Sequence, residues 1–223
     1  MHPIVKFARS RSACDEALEW LQQQVGAEPS LDTYAESMRL WSVCNQPGWL
    51  LWVALYCGVS PATVFPICMR MAEGACDAWE SVYYSSTLRD VCSAIAAHDW
   101  TDRSASEALS RELRRKAASC IERVNEEVPS AHYEKASSAA WCVRHMIDYA
   151  NGGFPFDNVA RSAERVATHF AYTHRMSSQD FKAVRVALCN DVRDAIPLSA
   201  LTPALRRLYR SAGFDLQLPP QAE

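Results

Sequence analysis

Six histidines and nine cysteines are the first places to look for chemistry in this chain of 223 residues, because imidazole and thiolate are common catalytic and metal-ligating groups. Cys142 and His145 stand three apart, which on a helix places both on one face. A structural zinc site needs four ligands, and no second pair repeats that spacing, so no metal is expected. His169 and His174 are five apart and fall on different faces. None of the cysteines forms a Cys-x-x-Cys pair. Most of them (Cys57, Cys68, Cys92, Cys120, Cys142 and Cys189) sit in apolar helical stretches, where a thiol packs as a small hydrophobe. The sequence has no Gly-rich phosphate loop, no Gly-x-Ser-x-Gly elbow and no His-Glu-x-x-His. No catalytic residue and no cofactor is singled out. An enzyme would have to assemble its site from dispersed residues such as His98, Asp99, His132, His145 and His169.

Charge placement says more. Glu73, Asp77 and Glu80 fall at i, i+4 and i+7, so a helix would line their carboxylates along one side. Trp79, Tyr83 and Tyr84 lie within and just after that row. Acidic groups beside aromatics suit a basic protein partner, since opposite potentials speed encounter and aromatics anchor interfaces. Glu73, Asp77, Glu80, Tyr83 and Tyr84 are therefore the candidate partner-binding residues. Arg206, Arg207 and Arg210 form a basic cluster without acidic neighbours in sequence, a candidate contact for nucleic acid or an acidic protein. A second basic cluster, Arg111, Arg114, Arg115 and Lys116, is interleaved with Glu107 and Glu112; the pairs Glu107–Arg111 and Glu112–Lys116 have the i,i+4 order of a solvated helix face. The formal net charge of −3 argues against a protein whose main work is gripping phosphate backbones.

The elements that must position these groups read as helices throughout. Cys14, Ala17, Leu18, Leu21 and Val25 recur at helical spacing after a capping-box-like Ser12, and Gly26 can end that run. Asp32 or Ser30 suits the cap of a second helix, and Pro47 the first turn of a third ending at Gly58. Ser60-Pro61 opens a stretch to about Trp79 that Pro66 either kinks or truly starts. Further helical patterns cover Leu88–Ala96, a long run opened by the capping-box pattern Ser104 to Glu107, and Tyr133–Ala150. Asn151-Gly152-Gly153 reads as a turn, with Asp157 placed to cap the next helix. Ser177 to Asp180 looks like another capping box, and Thr202-Pro203 like the start of a short last helix that Gly213 ends. The expectation is an all-α protein: one domain over residues 1–215 with nine or ten helices, then an extended or disordered tail at 216–223.

Two segments taken together resemble a known family. Ala13-Cys14, Ala17 and Trp20 precede Cys44, Gly48 and the run Trp49-Leu50-Leu51-Trp52. This is similar to helical immunity proteins encoded by bacterial and phage genomes, in which an Ala-Cys…Trp helix precedes a Cys-x-x-Gly-Asp-Trp-Leu-Leu-Trp signature. Pro47 and Gly48 stand here where the family has Gly-Asp, so the acidic residue before the tryptophan is absent. The resemblance covers about the first 60 residues. It implies a non-enzymatic inhibitor that neutralises a toxin or a defence-system component by binding it, and it supplies no binding residues. The core-like Trp49, Leu50, Leu51 and Trp52 are expected to define the fold.

The expected compartment follows from what the sequence lacks. The longest apolar run, Trp49 to Cys57, has nine residues, against the roughly 18 to 20 that cross a bilayer. The first residues carry no apolar signal core, and an odd number of cysteines is a poor disulfide framework. A cytoplasmic protein with a protein partner and no membrane contact is the resulting expectation, with a nucleic-acid-binding protein or an enzyme of dispersed His and Asp residues as the alternatives.

Overall fold

The computed structural model describes residues 1–30, 32–127, 130–152, 156–175 and 178–214. Eleven helices run through them, and the described residues contain no strand. In order they are α1 (Pro3–Ser10), α2 (Asp15–Gln24), α3 (Thr33–Val43), α4 (Pro47–Tyr56), α5 (Pro61–Tyr83) and α6 (Thr87–Ala97). Then come α7 (Arg103–Glu127), α8 (Ser130–Ala150), α9 (Phe156–Thr173), α10 (Ser178–Ala195) and α11 (Leu198–Ser211).

The all-α expectation holds, with one helix more than nine or ten. The additional element is α1, a short helix that begins with Pro3 in its first turn and with His2 as its cap, the imidazole Nδ1 accepting from the Ile4 amide at 3.3 Å. Ser12 consequently does not cap α2. It lies in the turn after α1 with φ of 56°, and Cys14 takes the cap position without a side-chain hydrogen bond. Asp32 does cap α3, accepting from the Ala35 amide at 2.8 Å. Asp102, one position ahead of the new helix, caps α7 in place of Ser104, accepting from Ala105 at 3.1 Å. Asp157 lies inside the first turn of α9 and accepts a 2.5 Å hydrogen bond from the Tyr56 hydroxyl. The capping box expected from Ser177 and the tail from 216 onward lie outside the described residues.

Both internal prolines sit within continuous helix. Pro66 stands in the second turn of α5, so the helix starts at Pro61 with Ser60 accepting from Thr63. Pro203 is likewise inside α11, which starts at Leu198 and not at Thr202. Each is the sixth residue of its helix, so it leaves the carbonyl four residues earlier, Ala62 or Ser199, without its intrahelical donor, and the helix continues past it.

The architecture is built outward from α5, α8 and α9. The facing surfaces of these helices are small: Ala72 and Ala75 on α5, Ala136, Ala139 and Ala140 on α8, and Ala160, Ala163 and Ala167 on α9 are all fully buried. Small side chains let helix axes approach closely, and among the described residues α8 with α9 forms the most extensive contact. Gly74 shows how tight the approach is, since a Cβ there would sit 2.8 Å from the Phe170 ring. Gly48 does the same between α4 and α9, where a Cβ would stand 2.7 Å from the Glu164 carbonyl oxygen. α6 and α7 cover one side of this centre, and α4 and α10 the other. α1, α2, α3 and α11 form an outer layer beside α4. No helix among the described residues is long and apolar enough to cross a membrane.

Candidate functional site

The end of α5 carries the acidic row that the sequence suggested. Helical spacing brings Glu73, Asp77 and Glu80 along one side, and Glu73 and Asp77 are exposed. The turn into α6 then returns Arg89 across that row. Its guanidinium donates to Glu80 through Nε at 2.8 Å and Nη2 at 2.9 Å, and to Asp77 through Nη2 at 2.6 Å. The two-pronged bond to Glu80 fixes both side chains in one geometry. These hydrogen bonds from Arg89 hold the Glu80 carboxyl below its ordinary range. Asp77 keeps 76% of its side chain exposed despite the bond, so the row stays an acidic edge, with its geometry set and part of its charge offset by Arg89.

The aromatic residues divide into two roles. Trp79 is buried at 1% exposure and supports the edge from beneath. Tyr83 is half-buried: its ring lies 4.2 Å from that of Trp79 and 4.5 Å from the Arg123 guanidinium, a cation–π distance. Burial raises the Tyr83 phenol above its usual value. Tyr84 is the reverse case, with 92% exposure. It ends α5 in the left-handed conformation, φ 52° and ψ 36°, its amide bonding back to the Glu80 carbonyl at 2.9 Å. Glycine is the usual occupant of that position because a side chain strains it. Here a large aromatic side chain is held there and pointed into solvent.

The basic cluster is placed on the outer side of the molecule. Leu201, Leu205 and Leu208 of α11 face inward at i, i+4 and i+7, which turns Arg206, Arg207 and Arg210 to the opposite side. Arg207 and Arg210 are exposed and Arg206 is half-buried. On α7, Glu112 pairs with Lys116 at 2.8 Å as its spacing suggested, whereas Glu107 pairs with Arg103 at 3.1 Å and not with Arg111.

Two of the dispersed histidines do meet. His145 of α8 and His169 of α9 stack with ring centroids 5.3 Å apart, and Trp141 joins them at 5.6 Å from His145. Burial depresses both imidazoles, to about 3 for His145, where His169 and Arg165 add to the effect, and to about 4 for His169, where Arg165 adds. Asp148 is the nearest carboxylate, 4.0 Å from His145, but it is already held by Arg114 at 3.0 Å and Arg144 at 2.5 Å. Stacked faces bring ring planes together, not ring nitrogens, so the arrangement is a packed neutral pair. His98 is elsewhere, bonded to Ser106 at 3.0 Å beside Trp100. Asp99 accepts from Thr101 in a local turn. Cys142 faces the Val166 carbonyl at 3.4 Å and not His145. Among the described residues no three His, Cys, Asp or Glu side chains group as metal ligands.

Arg89 is the residue that sequence reading passes over. It stands nine residues from Glu80 and across a helix end, a separation with no periodic signature. Its partnership exists only because the Tyr84 turn folds α6 back on α5. Comparison with family models, with curated proteins and with solved structures finds no match to this chain.

Proposed function

We propose that this chain acts by binding another protein, presenting the acidic edge of α5 and the Tyr84 ring to a basic surface. The observation that carries the reading is Tyr84 itself, 92% exposed and held in a strained left-handed conformation beside Glu73, Asp77 and Glu80. A strained, exposed aromatic contributes nothing to the core. It does supply an accessible aromatic contact of the kind that anchors interfaces. The Asp77 and Glu80 carboxylates, fixed by Arg89, offer a basic partner both steering and register. The narrower role, neutralising a toxin or a defence-system component, rests on the resemblance carried by Ala13 to Leu21 and Leu40 to Trp52.

Affinity capture from the native cell tests the reading. Wild type is expected to retain one protein at stoichiometric amounts. The variant combining Glu73→Lys, Asp77→Lys and Tyr84→Gly is expected to lose it while melting at nearly the same temperature. Recovery of the same partner at undiminished yield by the variant, or no stoichiometric partner with wild type, would overturn the proposal.

A further inference from the structure

A cavity of about 120 Å³ lies where the outer layer meets α4 and α9. Its walls come from α1, α2, α3, α4 and α11, with Glu164 of α9 reaching in from the central side. Four of the seven tryptophans line it: Trp20, Trp41, Trp49 and Trp52. Trp20 and Trp49 meet with ring centroids 5.8 Å apart and planes inclined at 53°. Leucines of α11 and small residues of α1 and α2, Ala8 and Ala17 among them, complete a surface that is almost wholly apolar.

Two polar side chains interrupt that lining, and their situations differ. Ser37 donates to the Thr33 carbonyl at 2.8 Å and meets the Tyr209 hydroxyl at 3.4 Å, so its hydrogen-bonding capacity is used. Glu164 carries the only carboxyl among the described lining residues, and none of the described hydrogen bonds engages that carboxyl. Gly48 leaves the room that Glu164 needs: a Cβ at position 48 would press within 3.0 Å of the Glu164 Cγ. Burial raises the Glu164 carboxyl above its ordinary range.

We propose that this cavity is a binding site for a small uncharged ligand, a single aromatic ring bearing one hydrogen-bond donor, as in a phenol. The ring lies among the tryptophans and its donor is accepted by a Glu164 carboxyl oxygen. Size sets the first limit, since at about 120 Å³ the space is somewhat smaller than the apolar cavity of about 150 Å³ that holds benzene, so its occupant is at most one small ring. The four indoles favour an aromatic occupant, through the edge and face contacts that aromatic pairs prefer. The apolar wall excludes an anion, which the one carboxyl in the described lining would repel. The half-buried carboxyl favours an occupant with a donor, because it can accept an N–H or O–H hydrogen bond that a hydrocarbon cannot offer. Entry is favoured from the α2 side, since α2 is held mainly through α1. This site is separate from the acidic edge of α5, and the inference does not rest on the protein-binding proposal.

The test uses the full chain with phenol and toluene as probes, read by tryptophan emission, calorimetry and the shift in melting temperature. Phenol is expected to give a saturable change in emission and a higher melting temperature. Toluene, which lacks the donor, is expected to bind about tenfold more weakly. Glu164→Leu is expected to make the two probes bind alike. Ala17→Leu, which fills the cavity from α2, is expected to abolish binding of both while unfolding remains cooperative. The proposal fails if phenol gives no saturable response with wild type, or if phenol and toluene bind wild type equally. It also fails if a folded Ala17→Leu protein binds phenol as wild type does. Because Glu164→Leu and Ala17→Leu alter different walls, failure of one to fold leaves the other decisive.

Discussion

The centre formed by α5, α8 and α9 and the outer layer formed by α1, α2, α3 and α11 solve the same packing problem in opposite ways. The centre uses alanine and glycine at its contacts, so helix backbones come close and the few large side chains, such as Ile147 and Met146, are fully enclosed. The outer layer uses tryptophan and leucine. Large rigid side chains on short helices do not tile completely, and about 120 Å³ is left open between them. Small residues give density without shape; large ones give shape and leave room.

That contrast can be broken most forcefully at the centre. Ile147→Ala is expected to cost about 2–5 kcal/mol, because a close-packed site cannot collapse into the vacated volume. Urea unfolding would show it as a lower midpoint at constant slope. Matched insertions sharpen the comparison. Ala163→Leu, between α9 and its neighbours, is expected to cost about 1–3 kcal/mol by overpacking. Ala17→Leu, the same change facing the cavity, is expected to be neutral or stabilising. Equal destabilisation by both would show that the outer layer is as tightly filled as the centre.

The histidine stack predicts a pH dependence located in the centre. Both imidazoles titrate lower in the folded chain, about 3 and about 4, than the ordinary value near 6.5. The unfolded chain therefore binds protons first as the pH falls. Stability should be complete above about pH 6.5 and decline towards pH 4, by up to about 1.4 kcal/mol per pH unit for each imidazole. Glu164 acts with the opposite sign: its raised carboxyl contributes stability at low pH that is lost as the pH rises through its folded value. His145→Phe combined with His169→Gln should flatten the decline between pH 6.5 and 5, and an unchanged slope would refute the assignment.

The smallest expected effects lie at the acidic edge, which belongs to neither packing regime. Arg89→Ala is expected to cost less than about 1 kcal/mol, because the clamp lies at the surface and Asp77 is largely solvated. Tyr84→Gly is expected to stabilise the fold by up to about 1 kcal/mol, since glycine adopts the left-handed cap without strain. A clear loss of stability from Tyr84→Gly, measured by thermal unfolding, would mean that the ring packs in solution.

Much of the fold was legible in the sequence because helical periodicity is a local property. The spacing of Leu88, Val91, Cys92 and Ile95 gives α6 directly, and Pro47 and Gly58 bracket α4. α1 was missed because eight residues with three buried positions make too short a pattern to stand out. Helix starts were misplaced where a better-placed acceptor, Asp102, stood just upstream of the expected cap. The acidic row of α5 was visible as a spacing, since i, i+4 and i+7 share a face in any helix. The clamp by Arg89 was not, because it depends on the direction the chain takes after Tyr84.

What the sequence determined by itself was therefore everything that follows from one helix at a time: the class of fold, most of the elements, and which side of each faces inward. The tertiary structure decided what those inward sides meet. It paired His145 with His169, set Glu164 beside Gly48, and gathered four tryptophans from α2, α3 and α4 around one cavity. The physical reason is range. Periodicity and capping are set by neighbours within a turn or two, whereas packing depends on the relative placement of whole helices, to which no local spacing is sensitive.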